Sequence, residues 1–187
     1  MYMNTLKTKS IFLFSALMGL GLVFSSCNKK NDDNPTQKET ADNGTKHRDV
    51  LLKDYGAEPL VLNIEDYTSA NTNFRTSLWT GKNLQVTLMS IPVGGEVGLE
   101  QHSNLDQFLR IEDGKARVLM GDTKDSLSFE ELAGEDFAIL VPAGKWHNIV
   151  NIGDEPLKLY SIYAPAEHPH STVHKTQQEA MEAEHHH

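Results

Sequence analysis

GEVGLEQHSNLDQFLRIEDG (Gly95–Gly114) and PAGKWHNIVN (Pro142–Asn151) decide how this chain folds. In an extended strand, side chains alternate between two faces. The first stretch then puts Gln107, Leu109 and Ile111 together, with Arg110 opposite as an exposed or interfacial charge. The second turns at Pro142–Gly144 and puts His147, Ile149 and Asn151 on one face, with Trp146 on the other. Between them, Lys115–Met120 sends Ala116, Val118 and Met120 inward. Similar short runs rich in β-branched and aromatic residues continue on both sides: Phe74–Trp79, Leu84–Ile91, Asp106–Glu112, Ser126–Glu130, Phe137–Val141, His147–Ile152 and Leu157–Tyr163. Turn signals separate them, among them Gly94-Gly95, Gly114, Ala133-Gly134 and Gly153-Asp154. No segment between residues 70 and 165 carries a 3.6-residue apolar repeat, so the prediction is an all-β sandwich or barrel. Gln177–Glu184 (QQEAMEAE) is rich in helix formers and predicts a short helix in the C-terminal tail.

The same parity gathers a set of polar side chains. Glu100 and His102 are two residues apart on extended chain and point the same way. Gln107 opens the next strand on its inward face, and His147 arrives after the Pro-Gly turn. Two imidazoles and one carboxylate form a facial ligand set that leaves coordination positions open. Gln107 adds a neutral oxygen as a weak ligand or as a partner of Glu100. These residue types suit iron, manganese, nickel or zinc and do not choose among them. With a divalent ion and one carboxylate the formal site charge is +1, which favours an anionic or enolisable small molecule. The alternative is a barrel in which the same groups hydrogen-bond a small ligand directly.

The two stretches resemble the paired signature motifs of the cupin superfamily: a glycine, His-x-His, a glutamate and a glycine, then Pro-x-Gly-x-x-His followed by Asn. Glu100 stands at the first histidine position and Gln107 at the usual glutamate. The resemblance covers about residues 84–163 and implies a jelly-roll barrel with metal ligands at Glu100, His102, Gln107 and His147. Leu159–His170 resembles small single-domain cupins of the mannose-6-phosphate-isomerase-like subgroup. Sugar isomerisation nonetheless ranks below oxygenase or lyase chemistry, because the chain carries an export signal.

That signal occupies residues 1–26. Lys7 and Lys9 precede Ile11–Phe24, a fourteen-residue apolar run. At 1.5 Å per residue a helix of this length spans about 21 Å, short of the roughly 30 Å hydrocarbon core. The segment therefore reads as a secretory signal. Phe24-Ser25-Ser26-Cys27 resembles a lipobox with Phe in place of Leu, and it implies that Cys27 is acylated and anchors the chain to a membrane. Cys27 is the only cysteine, so an intramolecular disulfide is excluded. Residues 27–48 hold no large apolar side chain and read as a polar tether. The barrel is expected over 49–167 and a tail over 168–187, in which His168, His170 and His174 belong to a solvated cover over the barrel.

The 187 residues carry 17 basic and 26 acidic groups, a formal charge of −9. That balance argues against nucleic-acid binding through charge. Phe108 and Trp146 are the outer-face residues for pairing two copies as a homodimer. The expectation is thus a lipid-anchored small cupin of a Gram-negative envelope, at the outer membrane or its periplasmic face. It binds a divalent metal and acts as an oxygenase, lyase or isomerase on a small polar molecule, or serves as a non-catalytic ligand-binding or sensing module.

Overall fold

A computed structural model describes residues 50–184. The expected signal segment, Cys27, the tether up to residue 48 and His185–His187 lie outside the described residues. Ten strands run β1 (Arg75–Thr80), β2 (Gln85–Ile91), β3 (Glu100–Gln101), β4 (Asp106–Asp113), β5 (Lys115–Gly121), β6 (Phe129–Gly134), β7 (Ala138–Val141), β8 (Trp146–Asn151), β9 (Leu157–Ala164) and β10 (Val173–His174). Helix α1 (Ile64–Ala70) precedes them and α2 (Gln177–Glu184) ends them. They form a six-stranded sheet, β10-β1-β2-β9-β4-β7, facing a four-stranded sheet, β3-β8-β5-β6, and every strand pairing within the two sheets is antiparallel. This is the jelly-roll barrel that the sequence predicts.

Alternation works as expected where it counts. Ala116, Val118 and Met120 of β5 meet Leu109 and Ile111 of β4, Ile149 of β8 and Leu157 and Leu159 of β9 in one buried core. Gly114 joins β4 to β5 at φ +97, a conformation open to glycine without strain. A Cβ there would also meet the Leu157 backbone at 3.0 Å.

The differences have local causes. β6 runs over Phe129–Gly134 rather than Ser126–Glu130, because the chain first folds back on itself through a Thr123–Ser126 bridge. Among the described residues it is the edge strand of its sheet, and Phe129–Leu132, the Glu130-Glu131 pair included, are exposed. The turn after it is closed by Asp136 at φ 69. Arg110 bridges Glu112 and Asp136 across this corner and is the ion-paired outer charge of β4. Helix α1 escapes a periodicity reading at seven residues. Its start is set by the Asn63 side chain, which accepts from the Glu65 N–H, and by acidic Glu65 and Asp66 in the first turn. Within the expected tail, β10 pairs with β1, Arg75 opposite His174, and adds an outer strand to the six-stranded sheet. Helix α2 falls where the sequence places it. The Thr176 hydroxyl accepts from the Glu179 N–H, and the Glu179 carboxylate accepts from Lys175 N–H, much as in a capping box.

Phe108 and Trp146 are half-buried. Four of the exposed large apolar side chains, Phe129, Leu132, Phe137 and Leu140, line a groove of about 580 Å³ between the free edges of β6 and β7.

Candidate metal centre

The short pairing of β3 with β8 sets Glu100 directly opposite His147, so both side chains leave the ladder on the same side. Three bonds tie the two sequence motifs together at this corner. The His102 carbonyl accepts from Gly144 N–H at 2.7 Å, and the Gln101 amide donates to the Gly144 carbonyl at 2.8 Å. The Asp106 carboxylate accepts from Ala143 N–H at 2.9 Å. The Pro142–Gly144 turn is therefore built onto the first motif, and His147 is delivered as a consequence.

Glu100, His102 and His147 each offer a ligand atom, and these atoms lie within 4.8 Å of one another. Glu100 Oε1 lies 3.2 Å from His147 Nε2 and 3.4 Å from His102 Nε2. His147 Nδ1 faces the Lys145 carbonyl at 3.1 Å. A carbonyl only accepts, so Nδ1 carries a proton, and in the tautomer with that single proton Nε2 presents a lone pair. That lone pair points at a carboxylate oxygen, which is also an acceptor. A cation on this line, a proton or a metal, resolves the conflict. His102 Nε2 is buried and has no hydrogen-bond partner despite its closeness to Glu100. Its Nδ1 lies 3.3 Å from Glu167, the carboxylate–imidazole arrangement that orients ligating histidines.

Ligands about 2.1 Å from one ion stand up to roughly 4.2 Å apart, close to the spacing found here. The donor set fits a divalent first-row ion. Gln107 also reaches the interior, 2% exposed. Its amide nitrogen donates to Ser161 Oγ at 3.0 Å, while Oε1, its only possible ligand atom, is buried without a partner.

Electrostatics support a charged Glu100. Burial raises its pKa, but the adjoining His102 and His147 rings and the Arg75 charge outweigh burial and hold the carboxyl well below the usual range. Burial also disfavours a charged His102, yet Glu100 and Glu167 on either side raise its pKa above the ordinary value.

Sequence reasoning missed the wall around this centre. Arg75 of β1 and Tyr163 of β9 are 1% and 0% exposed. The Tyr163 ring lies edge-on between His102 at 5.5 Å and His168 at 5.1 Å, centroid to centroid. His168 is thus packed against the barrel wall rather than solvated, and burial depresses its pKa to about 3. His170, by contrast, is exposed. An arginine within a run of strand formers was the available signal for the wall. It was obscured because the β1–β2 register shifts between Ser77 and Trp79, which breaks simple parity.

A two-sheet jelly-roll barrel with a His/Glu cluster that could hold a metal ion between its signature turns defines the class of this protein. Residues 87–163 match the cupin domain family. The chain is 58% identical over 137 residues to the uncharacterized protein YrkC of Bacillus subtilis (strain 168), covering 73% of this chain and 74% of that one. It is 38% identical over 110 residues to an uncharacterized protein of Acanthamoeba polyphaga mimivirus, covering 58% and 67%. The crystal structure of a Bacillus halodurans protein, BH2720, superposes with a TM-score of 0.69 at 58% identity, covering 70% of this chain and 98% of that one. The chain belongs to the cupin family.

Proposed function

We propose that this protein is an envelope-anchored cupin that holds one divalent metal ion on Glu100, His102 and His147, with Gln107 Oε1 as a further oxygen donor, and acts on a small polar or anionic molecule. The observation that carries the reading is the pair of acceptors, Glu100 Oε1 and His147 Nε2, facing each other at 3.2 Å with the His147 proton held on the other nitrogen. When bound, the ion supplies a Lewis-acid or oxygen-binding centre. The chain's own groups do the rest. Lys145 fixes the His147 tautomer, Glu167 orients His102, and Glu100 accepts a substrate proton if its oxygen leaves the ion. Glu167, His168, Pro169, Thr172 and His174 line a recess beside Glu100 and His102, through which a small molecule would reach the centre.

Oxygenase, lyase and isomerase chemistry all suit this arrangement. The likeness of residues 159–170 to mannose-6-phosphate-isomerase-like small cupins supports the subgroup, while export argues against a phosphorylated cytosolic substrate. Screening the metal-loaded protein against small organic acids, enols and sugars, with oxygen uptake recorded in parallel, is expected to give turnover that a chelator abolishes. Tight stoichiometric binding without turnover of any of them would replace the enzyme reading with that of a binding module.

The anchor is proposed on residues 1–27 alone. Acyl chains on Cys27 would contribute about 0.8 kcal/mol per buried methylene and hold the chain at a Gram-negative envelope membrane. Cys27→Ala is expected to move the protein from the membrane pellet to the soluble fraction, and unchanged retention in the pellet would refute the anchor.

A further inference from the structure

Beside the Glu100–His102–His147 cluster lies a concentration of buried hydrogen-bonding groups that the metal reading does not use. Arg75 is 1% exposed, yet its guanidinium makes one ion pair, from Nη1 to Glu184 Oε1 at 3.3 Å, and its Nε has no partner. The Tyr163 hydroxyl, His168 Nε2 and His174 Nδ1 are likewise buried without partners. His174 stands opposite Arg75 in the β10–β1 register. A recess of about 750 Å³ lies beside them, lined by Glu100, His102, Glu167, His168, His174 and Glu184 among others; Arg75 meets it through its ion-pair partner Glu184. Native proteins leave few buried polar atoms unpaired, so a cluster of them beside a recess calls for an occupant.

Arg75 and Tyr163 are the donors of this group. Arg75 stays charged. Burial pushes Tyr163 up to about 12, so its hydroxyl keeps its proton. Burial holds His168 and His174 below their ordinary pKa values, and the Arg75 charge adds to this, so these rings stay neutral. A guanidinium fork with a phenol beside it suits a flat two-oxygen anion.

The group that meets Arg75 in this structure is itself a carboxylate. Glu184 is 56% exposed and stands in the last turn of α2, which has no basic residue. A negative charge at a helix C-terminus is disfavoured by the helix dipole, so the helix contributes nothing to holding it there. Arg75 is the group that does.

We propose that Arg75, with Tyr163 and His168, is a carboxylate subsite of the barrel, and that Glu184 is its tethered occupant, displaced when a small organic acid binds. The acid places one carboxylate on Arg75 and directs its remaining oxygens toward the Glu100–His102–His147 centre. In naming this substrate class the inference rests on the metal-dependent reading of the barrel.

Malonate, with two carboxylates one carbon apart, is the probe. Its binding to the metal-loaded full chain is followed by titration calorimetry, with metal content measured on every sample. A tethered carboxylate competes at high effective concentration, so Glu184→Gln is expected to tighten malonate binding about tenfold. Arg75→Lys, which keeps the charge but loses the fork, is expected to weaken it at least about tenfold and to erase the effect of Glu184→Gln. Glu184 is exposed, so its variant should fold and carries the test even if the buried Arg75 variant does not. Unchanged affinity in Glu184→Gln, or wild-type affinity in a folded Arg75→Lys, overturns the proposal. Arg75-dependent binding in protein that holds no metal would support the subsite and overturn the metal reading instead.

Discussion

Replacing both His102 and His147 by alanine is expected to abolish metal binding while the chain keeps its β-rich circular dichroism. Losing a hydrogen-bond partner that merely orients a metal ligand typically costs roughly 10–100-fold in affinity, so losing a ligand itself should cost at least about 100-fold. The double variant retains Glu100 and at most the neutral Gln107, too few donors for an ion that survives dialysis. His147 is 1% exposed, and its truncation leaves a cavity, with a cost on the order of 2–3 kcal/mol. A barrel with a core running from Ala116 to Leu159 should withstand that. Elemental analysis after dialysis reads the result. Near one ion per chain is expected for the wild type and none for the double variant. An ion retained by the double variant would put the site elsewhere, among His168, His170, His174 and the terminal histidines. Because Glu100 Oε1 lies close to both rings, each single variant is expected to lose most of its metal as well.

That Glu100, His102 and His147 converge was legible in the sequence, and the surroundings of this cluster were not. Glu100, His102 and His147 could be read because each sits beside a turn of recognisable chemistry and projects by strand parity. Cross-strand pairing then does the rest, setting Glu100 opposite His147. Gln107 was legible for the same reason, as an inward residue at the head of β4. The wall formed by Arg75, Tyr163 and His168 depends on facts with no local signature. Arg75 stands opposite His174 of β10, which returns from the tail to pair with β1, and β10 is two residues long. Nothing in Val173-His174 marks a strand apart from the partner it finds. The same holds for β3: its two residues earn a strand by lying against Trp146 and His147. Long-range pairing therefore decided these places, and periodicity cannot see it. Helix α2 was legible for the opposite reason, since a run of helix formers is a local signal.

Gly121→Ala is expected to destabilise the barrel by about 2–3 kcal/mol, a drop in melting temperature on the order of 10 °C. Gly121 closes β5, and the chain then doubles back through the Thr123–Ser126 bridge and lays its own backbone over the glycine. A Cβ at this position would stand 2.0 Å from the Ser126 carbonyl oxygen and 2.8 Å from Leu127 Cα. Both obstacles are backbone, so no rotamer change relieves them. Either the turn moves by more than an ångström or β5 does. Gly134, at the end of neighbouring β6, is the control. A Cβ there meets its nearest atom at 3.8 Å, an ordinary contact, and Gly134→Ala should change stability by less than about 0.5 kcal/mol. Thermal melts of the two variants side by side test the argument, and equal melting temperatures would show that the turn is free to move. The consequence reaches the metal centre. Gly121 pairs with Trp146, and Met120 beside it pairs with His147. A shift at the end of β5 therefore pulls on the strand that carries His147, which also pairs with Glu100 on its other side. Metal affinity should fall in Gly121→Ala even though no ligand has been touched, and it should stay at the wild-type level in Gly134→Ala.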